Sequence, residues 1–82
     1  MTLVAEYAAM VARIEPELAA SGAGYTPKIR ALEDDVDSAM RAFNAGTVER
    51  STVSLAIRQL ETAWLVQVAQ ARRLAAQGAS SR

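Results

Sequence analysis

The sequence has no cysteine and no histidine in its 82 residues. Disulfides are therefore impossible, and the two side chains that most often hold transition metals are missing. The common nucleophile–base pairs of covalent catalysis go with them. No apolar run approaches the roughly 20 residues that a membrane span requires. The stretch MTLVAEYAAMVARIE has no basic region ahead of its apolar part and carries Glu6 early, which argues against a signal peptide. A soluble cytoplasmic protein with no cofactor and no metal is the expectation, and the lack of cysteine fits a reducing compartment. Abundant alanine and eight arginines against one lysine match the codon bias of a GC-rich bacterial or phage genome.

What is present amounts to one domain. A chain this short buries only about 60% of the surface its unfolded form exposes. Small scaffolds add disulfides, a metal or a partner subunit. With the first excluded and the best metal ligands absent, oligomerisation is the remaining support.

Three helices are expected. The first spans residues 3–20, where Val4, Tyr7, Val11, Ile14 and Leu18 recur at spacings of three and four. Pro16 interrupts it and predicts a kink near residues 12–15 or a restart at the proline, because its ring opposes the Ala12 carbonyl. SGAGYTP, residues 21–27, is the clearest loop, with Tyr25 expected to pack back on the core. Thr26-Pro27 then reads as a helix start. The second helix, residues 27–44, has one narrow stripe of Ile29, Leu32, Val36, Met40 and Phe43. Its polar side carries the four-apart pairs Arg30–Asp34 and Asp37–Arg41. Gly46 suits a left-handed cap. The third helix, residues 48–77, begins after Thr47 or near Ser51 and ends before Gly78, with residues 78–82 a frayed tail. Short loops between amphipathic helices predict an all-α, up-down-up antiparallel three-helix bundle with a long third helix, completed by dimerisation.

The third helix carries the feature of interest. At 100° per residue, Val53, Ile57, Leu60, Trp64, Val68, Ala71 and Ala75 fall within about 40° of one direction, which is a core face with Trp64 as its anchor. Leu65 lies about 100° from that direction, and Val66 nearly opposite it, in line with Leu55. Thr62 and Ala69 complete this second side, flanked by Arg58 and Arg73. Such a face has three readings: scattered surface hydrophobicity, packing on the kinked half of the first helix, or an interface with another chain. The length mismatch favours the third, since the longer helix leaves about four turns without cover on one side.

Charge is balanced overall but unevenly placed. Residues 1–49 hold eight acids and four bases, and residues 50–82 hold one acid and five bases. Internal neutralisation, with the third helix against the first two, is the simpler reading. An anionic partner for the basic half is the other. The same asymmetry would suit antiparallel self-association.

Other motifs carry less. Glu33, Asp34, Asp35 and Asp37 form an acidic run, but only pairs three or four apart converge on a helix. With Arg30 and Arg41 beside it, the run reads as a solvated face rather than a cation site. Gly22-Ala23-Gly24 has neither a preceding strand nor the lysine–hydroxyl pair of a phosphate loop. Arg72 and Arg73 suit the end of a helix dipole, and Met10 and Met40 read as gap fillers.

The functional expectation is therefore not an enzyme. It is a small protein–protein interaction module, a regulator, adaptor or inhibitor. It docks through Leu55, Arg58, Thr62, Leu65, Val66, Ala69 and Arg73, with a homodimer or another protein as partner and no membrane involved. The alternative is a nucleic-acid-binding module using the basic half of the third helix. Its arginines are widely spaced, and a pI near 6.2 weighs against it.

Overall fold

The computed structural model describes residues 2–80, with side chains through residue 78. Among them all regular structure is helical: α1 (Leu3–Ser21), α2 (Pro27–Asn44) and α3 (Arg50–Ser80). No helix is long and apolar enough to cross a membrane among the described residues.

Local chemistry sets the helix ends. The Thr2 hydroxyl accepts from the Ala5 N–H at 3.0 Å and caps α1. Pro16 lies inside α1 at an exposed position, and the helix continues through it without restarting. Gly22, at φ 68°, closes α1 by donating its N–H to the Leu18 carbonyl at 3.0 Å. Thr26 caps α2 through the Ile29 N–H at 3.2 Å, with Pro27 in the first turn.

The end of α2 explains why α3 starts at Arg50 rather than at residue 48. Gly46 adopts φ 78° and donates to Phe43, while the Thr47 N–H reaches back to the Ala42 carbonyl at 2.9 Å. These two bonds satisfy carbonyls that the helix leaves open. The Thr47 hydroxyl also donates to Ala42, at 3.0 Å, so Thr47 finishes α2 and does not start α3. At the other end α3 does not stop before Gly78 but runs to Ser80. A glycine costs a helix only about 1 kcal/mol relative to alanine, and neighbouring turns can carry it. The frayed-tail expectation for residues 81 and 82 lies outside the described residues.

Both shorter helices pack on α3. The buried core is Leu3, Met10 and Ile14 from α1, Ile29 and Val36 from α2, and Val53, Ile57 and Leu60 from α3, with Val68 buried further along. Leu32, Met40 and Phe43 are partly buried against it, which keeps the α2 stripe intact. No polar or charged residue is buried among the described ones, so the core carries no desolvation cost.

Three expectations about the core need correction. Val4 is 72% exposed and Leu3 and Met10 are buried instead, while Ile14 is buried and Tyr7, Val11 and Leu18 pack against the core as expected, so of the expected α1 stripe only Val4 faces out. Trp64 is half-buried, packed against the margin of the core rather than at its centre; the Tyr25 ring lies beside it, tilted by 51° with centroids 6.1 Å apart. Ala75 is exposed, because α3 has by then run past both partners. At 1.5 Å per residue α3 is about 46 Å long, and it dominates the 56 Å long axis of the molecule.

Candidate functional site

One edge of α3 is tied to α1 by charge. Ser54 donates to Glu6 at 3.1 Å, and Arg50 approaches the same carboxylate at 4.0 Å. Arg13 grips Glu61 with two bonds, Nε to Oε2 at 2.9 Å and Nη2 to Oε1 at 3.0 Å. Arg72 pairs with Glu17. Two of these three pairs set an acid of α1 against a base of α3, so part of the charge asymmetry is neutralised inside the fold. The hydrogen bond from Arg13 holds the Glu61 carboxyl below its ordinary range, and Glu61 in turn raises Arg13. Past Arg72, residues 73–78 of α3 are all exposed, including Leu74 at 67%. The overhang is therefore about two turns, shorter than the four expected, because the Glu17 contact carries α1 along α3 as far as Arg72.

The opposite edge of α3 meets α2 and leaves a groove of about 670 Å³. Lys28 and Leu32 of α2 form one wall, and Leu55, Arg58, Gln59, Thr62, Ala63 and Val66 of α3 form the other. A narrower hollow continues it beneath Thr26 and Ile29 to Gln67 and Gln70, sharing Lys28, Ala63 and Val66. Leu55 to Gln70 is about 22 Å of helix. Leu32, Leu55, Ala63 and Val66 give the groove its apolar surface beside the uncharged Gln59 and Thr62, and the only charged side chains lining either stretch are Lys28 and Arg58.

The seven residues expected on the second face of α3 are all exposed. Leu55, Leu65 and Val66 stand at 52%, 48% and 50%. Packing of this face on α1 is thus excluded. The groove gathers Leu55, Arg58, Thr62 and Val66 and leaves out Leu65, Ala69 and Arg73, which lie on the open surface beside it. Leu65 is on the side of α3 that turns toward α1, so it and Val66 belong to different borders of one exposed strip. The α2 wall, Lys28 and Leu32, was not foreseen. Leu32 belongs to the α2 stripe in sequence, but no periodicity within one helix reveals which residues of another it will face.

The remaining polar features have local partners. Tyr25 donates its hydroxyl to Glu33, and that carboxylate raises the tyrosine above its ordinary pKa. The Tyr25 ring is 58% exposed and rests on Trp64, not in the core. Asp37 pairs with Arg41. Asp37, common to both convergent pairs of the acidic run (Glu33–Asp37 and Asp34–Asp37), and Glu33 therefore each have a separate partner. No family model matches the chain, and neither a curated protein nor a solved structure does.

Proposed function

We propose that this chain is a small interaction module, a regulator, adaptor or inhibitor that acts by docking through the outer side of α3. The observation that carries this reading is the groove between α2 and α3 with its exposed Leu55 and Val66. Apolar side chains at half exposure along a groove retain hydrophobic free energy that the single chain does not use. Covering one such side chain fully contributes about 1.5–3 kcal/mol as an upper bound, and contiguous patches of this kind mark interaction sites.

The course of the helices belongs to this reading. Glu6, Arg13 and Glu17 meet Arg50, Glu61 and Arg72 in the same order. That order supports α1 and α3 running together with α2 returning between them, the up-down-up bundle. Self-association through the α3 face is one way to cover it, and a second protein is the other. Nucleic acid is the weaker reading, since Arg50 and Arg72 of the basic half already face Glu6 and Glu17.

The test is light scattering on the purified chain together with quantitative capture of partners, comparing wild type with Val66→Glu and with Ser38→Ala, a substitution at an exposed α2 position. Docking through α3 predicts that Val66→Glu abolishes association or capture while Ser38→Ala leaves both intact. A monomer whose captured set is unchanged by Val66→Glu contradicts it.

A further inference from the structure

We infer that the groove between α2 and α3 takes the apolar side of an acidic amphipathic helix from a different protein. The inference rests on the docking reading above and names its occupant by charge. Lys28 and Arg58 stand on opposite walls, one from each helix, in a groove whose apolar surface comes from Leu32, Leu55, Ala63 and Val66 and which no carboxylate lines. Neither makes an ion pair among the described residues, and neither does Arg73 on the same side of α3. A helix whose apolar stripe covers Leu32, Leu55, Ala63 and Val66 brings its flanking side chains against these two walls. Carboxylates there meet a cation on each side, whereas ammonium or guanidinium groups meet like charge.

A second copy of the chain is a poor occupant for the same reason. An antiparallel twofold pairing of α3 that sets Leu65 opposite Val66 also sets Thr62 opposite Ala69 and Arg58 opposite Arg73, so like charges meet at both ends. A parallel pairing sets each arginine beside its own copy. Of the acids of α1, Glu6 and Glu17 are engaged with Arg50 and Arg72, and Glu15 lies about 160–180° round α1 from both, on the side away from α3. The acidic surface of α2 presents Glu33, Asp34, Asp35 and Asp37, but Val36 among them is buried and offers the groove no apolar anchor. The projecting end of α3 has an exposed anchor, Leu74, but carries it beside Arg73.

The probe is a displayed library of helices about five turns long. Their apolar stripe is fixed as leucine and isoleucine, and the positions flanking it are varied among Glu, Gln, Lys and Ser. Selection is run against the full chain. The inference predicts enrichment of Glu over Lys at the flanking positions by about tenfold. Binding by a selected peptide should weaken from about 0.05 to 0.5 M salt as screening grows. The doubly substituted Lys28→Glu/Arg58→Glu chain, changed only at exposed positions, should select Lys instead. Enrichment without charge preference, or of Lys by the wild type, overturns the inference and leaves docking standing. If no helix is enriched but light scattering finds a dimer that Val66→Glu dissociates, the occupant is a second copy and the inference fails alone. If no helix is enriched and the chain is a monomer, the inference and the docking reading fail together.

Discussion

Arg13 and Glu61, 48 residues apart in sequence, form a two-bonded ion pair that joins α1 to α3, at 2.9 and 3.0 Å. Because Arg13 is largely exposed, the pair is screened and its stabilisation is small. Its pH signature is still specific. The hydrogen bond from Arg13 holds the Glu61 carboxyl below its ordinary carboxylate value in the folded chain. Its contribution is therefore fully present above the unfolded-state value and is lost as pH falls through the folded one. Thermal unfolding of wild type and Glu61→Gln, compared across pH, should show wild type more stable at neutral pH and the gap closing in acid. A gap that widens in acid would contradict the assignment.

The core and outer sides of α3 differ in what truncation costs. Leu60 is 1% exposed, and Leu60→Ala should destabilise by about 2–5 kcal/mol through lost burial and the cavity left behind. Leu65 is 48% exposed, and Leu65→Ala should change the stability of the isolated chain by about 0.5 kcal/mol or less. Urea unfolding of both variants checks the contrast. Equal losses would mean that the fold itself buries both sides.

Gly46 separates backbone strain from packing. Its φ is 78°, and a methyl group added there meets nothing within 4 Å. Gly46→Ala should therefore cost about 1 kcal/mol from the left-handed backbone alone, read as a shift in the urea midpoint at unchanged slope. A neutral substitution would remove Gly46 from the cap.

Tyr25 and Trp64 give an optical readout of the α1–α2 loop, since Trp64 is the only tryptophan. Tyr25→Ala should uncover the indole and shift its emission to longer wavelength. The hydrogen bond to Glu33 holds the Tyr25 phenol protonated to a higher pH than an ordinary tyrosine. Glu33→Gln should bring that ionisation down, followed by ultraviolet absorbance. A tyrosine titration unchanged by Glu33→Gln would contradict the contact.

The helices were legible in the sequence to the degree that each had polar residues to define a face. In α2, charged residues surround a single stripe, and Ile29, Leu32, Val36, Met40 and Phe43 all pack inward. In α1 the segment LVAEYAAMVARI is apolar or alanine on nearly every side. Two registers fit almost equally there, and burial of Leu3 and Met10 decided against Val4. The start of α3 was ambiguous because Thr47 is a competent cap whose hydroxyl is claimed by Ala42 of the preceding helix. The outer side of α3 was visible from the position of Val66 alone. The groove was not, because it depends on where Lys28 and Leu32 come to rest across from it.

The central claim is that α3 has one apolar side its own fold leaves open and a partner closes. The chain lacks cysteine, so single thiols report on this directly. Labelling rates should be compared for Val66→Cys, Leu60→Cys and Ser38→Cys, first alone and then with a saturating helix selected by the library. The account predicts that Cys at position 66 reacts like Cys at 38 in the isolated chain and becomes protected when the helix binds, with Cys at 60 slow throughout. A thiol at 66 as slow as that at 60 in the isolated chain, or one that stays fast with the helix bound, would contradict it.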